Sequence, residues 1–172
     1  MIRVVLADDH TLMREGLKHI LQNAPDIEIC AEATDGFETV QLVRKTPFDV
    51  LVMDLSMPGR CGMELIRQIK DEVPKLAILV LTMHEEDEYA ARTIRAGAMG
   101  YMTKEGAGAQ LVNAIRRVAS GRPYISMEVA EQLAIEAEKL REEAAWVRRK
   151  LNLRADASSS DAPSSPPSLP SS

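Results

Sequence analysis

A doubly wound α/β sheet, five parallel strands with helices on both faces, is the fold class this sequence predicts. Strand-like and helix-like stretches alternate five times within residues 1–121, the pattern of successive βα units. The strand-like stretches are near-continuous apolar runs, as expected of strands covered on both faces. Those runs also end in acids, a hydroxyl and an amine, which places polar chemistry at one end of the sheet.

The first strand, at 2–7, runs from Ile2 to Ala7 and meets Asp8 and Asp9. Leu12, Gly16, Leu17, Ile20 and Leu21 then mark one face of a helix that Pro25 follows. A second strand at 27–32 precedes a helix near 36–45 with Val40 and Val43 on its inner face. The third strand, 49–53, stops at Asp54, and Met57-Pro58-Gly59 turns the chain, Pro setting φ and Gly free to take positive φ. Met63, Leu65, Ile66 and Ile69 mark the third helix, which Pro74 closes. The fourth strand, 77–81, delivers Thr82. Beyond it Glu85-Glu86-Asp87-Glu88 opens a helix carrying Tyr89, Ala90, Thr93 and Ile94, with its acids at the end the helix dipole favours. Gly97 ends that helix. The fifth strand, 98–102, passes through Tyr101-Met102-Thr103 to Lys104, and a helix with Leu111, Val112, Ile115 and Val118 runs to Gly121.

Ligands of open parallel sheets bind outside the carboxyl ends of the strands. Asp8, Asp9, Asp54, Thr82 and Lys104 are therefore expected to converge. Carboxylates that close repel unless a cation or protons neutralise them. Mg²⁺, a hard ion that keeps coordination positions for phosphate oxygens, suits such a cluster. His10 reads as a helix-start residue, because an oxygen-rich site needs no imidazole.

Ala7-Asp8-Asp9-His10, Met53-Asp54-Leu55-Ser56-Met57-Pro58-Gly59, Leu81-Thr82 and Gly97-Ala98-Met99-Gly100-Tyr101-Met102-Thr103-Lys104 together resemble the receiver domain of two-component response regulators, of the NarL/FixJ type. The resemblance extends over residues 1 to about 125. It implies a flavodoxin-like (βα)5 fold with strand order 2-1-3-4-5 and Asp54 as phosphoacceptor. It also implies Mg²⁺ held by Asp8, Asp9, Asp54 and the Ser56 backbone carbonyl, with Thr82 and Lys104 on the phosphoryl oxygens. Tyr101 resembles the family's switch aromatic, which turns inward when Thr82 moves, and His84 stands where the family tunes attack of water. Cys61 departs from the Asp that many relatives carry ahead of Gly62. The function so implied is acceptance of a phosphoryl group from a sensor histidine kinase, followed by a change of conformation. No turnover enzyme is expected, only Mg²⁺-dependent self-phosphorylation and self-dephosphorylation.

The expected domain plan is a receiver at 1–121, a linker at 122–126, a helical extension at 127–154 and a disordered Ser/Pro-rich tail at 155–172. Ala130, Leu133, Ala137, Leu140, Ala144, Val147 and Leu151 are spaced as heptad a and d positions. Glu136 with Arg141, and Glu143 with Arg148, fall at complementary g and e positions, so Leu133, Leu140 and Val147 form a candidate homodimer seam. A helix packing that stripe on its own receiver is the other reading. No helix-turn-helix is evident, so DNA is not an expected partner. The alternative function is a truncated or degenerate DNA-binding transcriptional regulator of the same type.

Composition agrees. The chain has 172 residues, 45% hydrophobic, and a net charge of −5, without the basic footprint of a nucleic-acid binder. Cys30 and Cys61 form no metal or disulfide framework, which fits a reducing cytoplasm. The amino terminus has no signal-peptide pattern, and the longest apolar run, 76–81, is far short of a membrane span.

Overall fold

The computed structural model describes residues 1–59, 62–83 and 87–155. Residues Met1–Val129 form one compact unit. Its strands β1 (Ile2–Ala7), β2 (Ile27–Ala33), β3 (Val50–Asp54), β4 (Ala77–Thr82) and β5 (Gly100–Thr103) make one sheet, ordered β2-β1-β3-β4-β5. All its strand pairs are parallel. Helices α1 (Thr11–Leu21), α2 (Gly36–Lys45), α3 (Gly62–Glu72), α4 (Asp87–Ala96) and α5 (Ala107–Ala119) alternate with the strands. The expected flavodoxin-like order is observed. Because the chain leaves β1 for β2 on one side and returns to β3 on the other, the switch point falls between β1 and β3.

Strand residues alternate between two apolar layers, as the two-residue period requires. Val4, Leu6, Val50, Val52, Leu79 and Leu81 pack with Leu17, Leu21, Leu111 and Ile115 of α1 and α5. Val5, Leu51, Met53, Ile78 and Val80 pack with Val40, Leu65, Ile66 and Ile69 of α2 and α3. Two buried faces explain why the strands read as unbroken apolar runs. Helix ends are held locally. Asp35 caps α2 by accepting the Glu38 N–H at 2.8 Å, and the Glu38 carboxylate accepts the Thr34 N–H at 3.1 Å and its hydroxyl at 3.0 Å.

Strand bounds differ from the sequence reading by one or two residues, β3 running Val50–Asp54 rather than 49–53. β5 begins at Gly100, and a 3-10 turn at Lys104–Gly106 links it to α5, which starts at Ala107. Residues 122–126, read as a linker, attach to the open edge of β5. The Tyr124 N–H donates to Met99 O at 3.1 Å, and the Tyr101 N–H donates to Tyr124 O at 2.9 Å. An edge strand offers unpaired backbone groups for such an addition. Gly100 permits the close approach, since a Cβ there would sit 2.7 Å from Leu79 Cδ1 and 3.2 Å from Tyr124 Cβ. Val129, beyond this segment, is buried in the same unit.

Helix α6 (Met127–Ala155) is continuous where a helical extension at 127–154 was expected, and it takes in Ala155, read as the start of the tail. In the second compact unit, Ala130–Ser172, Leu133 is half-buried while Leu140, Val147 and Leu151 are exposed. The Lys150 ammonium lies 4.9 Å from the centre of the Trp146 ring, a cation–π contact. The expectations for Cys61, His84, the acids at 85–86 and a disordered tail from 156 onward lie outside the described residues.

Candidate functional site

The site forms where β1, β3, β4 and β5 end. Asp8, just past β1, is nearly fully buried; its N–H donates to Ala33 O at 3.0 Å, and its carbonyl accepts the Arg14 guanidinium at 2.5 Å. Asp54, the last residue of β3, is equally buried, and its Oδ1 accepts the Ser56 N–H at 3.0 Å. Lys104 reaches over from the end of β5. Its ammonium stands 3.2 Å from Asp8 Oδ2 and 3.2 Å from Asp54 Oδ2. Asp9 lies on the solvent side with its side chain 31% exposed. Sheet register brings Thr82 to the same rim: Asp54 pairs with Leu81, and Thr82 pairs with Thr103, the residue before Lys104. Thr82 is buried.

Burial acts to lower the Lys104 pKa, but the charges of Asp54 and Asp8 outweigh it and hold the ammonium above its ordinary 10.5. A raised lysine pKa means its ionic contribution is fully present below the unfolded value and lost as pH rises through the folded one. Lys104 is therefore a fixed positive charge at neutral pH.

One lysine leaves the carboxylates undersatisfied. Asp8 Oδ2 and Asp54 Oδ2 are buried, and each stands 3.2 Å from the Lys104 ammonium with no further hydrogen-bond donor among the described residues. Leaving buried acceptors in that state is costly. Ligand atoms of Asp8, Asp9, His10 and Asp54 all lie within 4.8 Å of one another, so these residues could hold a metal ion. A divalent cation fits both the donor set and the unmet oxygens.

His10 is the site residue that sequence reasoning set aside. It does occupy the N-cap of α1, but its side chain makes no capping bond. The ring turns to the acids instead: Nδ1 lies 3.1 Å from Asp8 Oδ1, 3.1 Å from Asp9 Oδ1 and 4.0 Å from Asp54 Oδ2. Its place directly after the acid pair was the available signal, and it serves both roles equally well.

Tyr101 lies further along β5, half-buried, with its ring edge-on to Tyr89 at 6.5 Å. It borders a cavity of about 220 Å³ that Ala90, Ile125 and Val129 also line. Leu133, Leu140 and Val147 belong to the other compact unit, Ala130–Ser172.

A switch-point crevice holding buried acids under a lysine, in a sheet of this order, defines the receiver class of signalling proteins. The chain belongs to the response regulator receiver domain family, whose family model matches residues 4–116. It is 42% identical over 135 residues to the response regulator UvrY of Escherichia coli, covering 78% of this chain and 62% of that protein. To the response regulator GacA of Pseudomonas aeruginosa it is 38% identical over 137 residues, covering 80% of this chain and 64% of that protein. The chain thus spans less than two thirds of these relatives' length. Among solved structures, a two-component response regulator of the LuxR family from Aurantimonas is 38% identical with a TM-score of 0.70, covering 78% of this chain and 96% of that one. A structure of RcsB dimers bound to two DNAs is 29% identical with a TM-score of 0.69, covering 81% of this chain and 75% of that one. Two-component signalling is the function class these findings support, and response regulators are signalling proteins rather than turnover enzymes. Among the described residues, no helix is long and apolar enough to cross a membrane.

Proposed function

We propose that this protein is a cytoplasmic phosphoacceptor switch that takes a phosphoryl group from a sensor histidine kinase onto Asp54. The observation that carries the reading is Asp54 itself: a buried carboxylate at a strand end, 3.2 Å from a charged lysine and beside a second buried acid. A carboxylate oxygen of Asp54 attacks phosphorus in line, the new O–P bond forms as the N–P bond of the donor phosphohistidine breaks, and the imidazole leaves with the electron pair. Lys104 offsets the charge on the equatorial oxygens, and the Thr82 hydroxyl hydrogen-bonds one of them.

Mg²⁺ is the metal this reading assigns, held by Asp8, Asp9, Asp54 and the Ser56 carbonyl, and it would supply further neutralisation of the phosphoryl oxygens. Self-phosphorylation from small acyl phosphates and self-dephosphorylation use the same groups. Thr82 drawn toward the phosphoryl group frees space for Tyr101 to turn inward, which alters β5 and the residues 122–126 paired to it. Helix α6 follows that segment, and its exposed Leu140 and Val147 with Leu133 suit a homodimer seam. The test is incubation with acetyl phosphate and Mg²⁺ followed by intact-mass measurement. One added phosphoryl group is expected, and none in excess EDTA; an unchanged mass with Mg²⁺ present defeats the reading.

A second reading, a DNA-binding transcriptional regulator of the NarL/FixJ type, is favoured by two relatives: the transcriptional regulatory protein DegU of Brevibacillus brevis, 38% identical over 139 residues, and RcsB on DNA. A footprint on a specific promoter at physiological salt would support it. Weak, salt-sensitive binding alone would not.

A further inference from the structure

We propose that the His10 imidazole is itself a ligand of the metal site, so that this receiver favours a borderline divalent ion such as Co²⁺ over Mg²⁺ more strongly than its oxygens alone would. The inference rests on the reading of the acids as a metal site and goes beyond it by assigning a nitrogen donor. The geometry points this way. Adjacent ligands on an octahedral ion with bonds of about 2.1 Å lie about 3 Å apart, and opposite ligands about 4 Å apart. His10 Nδ1 is 3.1 Å from Asp8 Oδ1, 3.1 Å from Asp9 Oδ1 and 4.0 Å from Asp54 Oδ2. These separations match two neighbouring positions and one facing position of a single coordination shell.

His10 Nδ1 also stands at hydrogen-bonding distance from Asp8 Oδ1, 3.1 Å. Asp8 Oδ1 already accepts the His10 backbone N–H at 2.8 Å, so a ring N–H is not needed to satisfy it. A proton on Nδ1 could point in line at only one of the two carboxylates, whereas a cation among the three side chains contacts all of them. The imidazole also forgoes the capping bond its N-cap position offers. Its ring stays largely open to solvent, with a side-chain exposure of 64%, so an incoming ion can reach it. Imidazole favours later first-row ions such as Co²⁺, which stands above Mn²⁺ in the affinity order of nitrogen sites, whereas Mg²⁺ prefers oxygen.

The test compares the wild type with His10→Ser, which keeps a good N-cap residue and offers no ring nitrogen. Calorimetry with Co²⁺ and with Mg²⁺ should show Co²⁺ affinity falling at least about tenfold in the variant, the scale on which lost ligand-shell groups act. Mg²⁺ affinity should stay within about twofold. Electron spin-echo measurements on bound Mn²⁺ should show nitrogen modulation in the wild type and none in His10→Ser. Equal losses for Co²⁺ and Mg²⁺, or no nitrogen modulation in the wild type, overturn the proposal while leaving the acids' role intact. If Asp9→Ala also binds both ions as the wild type does, the metal-site reading falls with it.

Discussion

At the residue scale, function depends on how a few side chains share charge at the strand ends. Asp9 offers a charged oxygen to a metal where Thr82 offers only a hydroxyl, so Asp9→Ala should lose far more Mg²⁺ affinity than Thr82→Ala. Calorimetry checks this, and equal affinities in the two variants count against the site. Lys104 gives a pH prediction. Its pKa is raised, so the stability difference between wild type and Lys104→Met should stay level around neutral pH and shrink only as pH climbs above 10.5 toward the folded value. Urea melts across that range measure it; a difference that collapses near pH 8 contradicts the ion-pair geometry. That Asp8, Asp9, Asp54 and Lys104 would come together was legible because each stands at or just past the carboxyl end of a strand-like run, and parallel strands bring those ends to one rim. The turn of His10 toward the acids was not, since a helix-start residue whose ring caps the helix and one whose ring faces the acids look alike in one dimension. Only the ring's direction separates them.

At the element scale, the core divides into two layers because successive strand residues face opposite sides. Ile66 is fully buried in the layer beneath α3 and should cost about 2–5 kcal/mol when truncated to Ala, measurable by denaturant unfolding. The attachment of 122–126 to β5 makes a separate prediction. Val129 is buried, and an unpaired carboxylate there is costly, so Val129→Asp should release the segment without unfolding the sheet. Amide exchange at Tyr101 and Tyr124 would then accelerate while labelling of Asp54 persisted; protected amides in the variant would show that the segment is held otherwise. Strand and helix existence was readable from periodicity throughout the first unit. The docking of Tyr124 was not, because Arg122-Pro123-Tyr124-Ile125 is too short to display a period, and its backbone pairing with β5 and the Tyr124 hydroxyl's bond to Gln110 Oε1 at 2.8 Å leave no sequence pattern. The start of β5 was misplaced for a related reason: Ala98 and Met99 are as apolar as the strand they precede.

At the scale of the whole molecule, a chemical event at Asp54 must become a change that another molecule can read. Residues 122–126 pair with the edge of β5 beside Tyr101, and α6 follows that segment in the chain. If α6 forms a parallel dimer, Leu133→Asp with Leu140→Asp should yield a monomer by size-exclusion light scattering, since two carboxylates would be buried in an apolar seam. An unchanged dimer would place the interface elsewhere. The central claim, however, concerns one carboxylate. An aspartyl phosphate is an acyl phosphate, which borohydride reduces to homoserine at the residue that carried it. Treatment with acetyl phosphate and Mg²⁺, reduction and peptide mapping should place homoserine at position 54 alone, with none in Asp54→Asn. Homoserine at position 8 or 9, or an equal yield from the Asp54→Asn protein, would contradict the account.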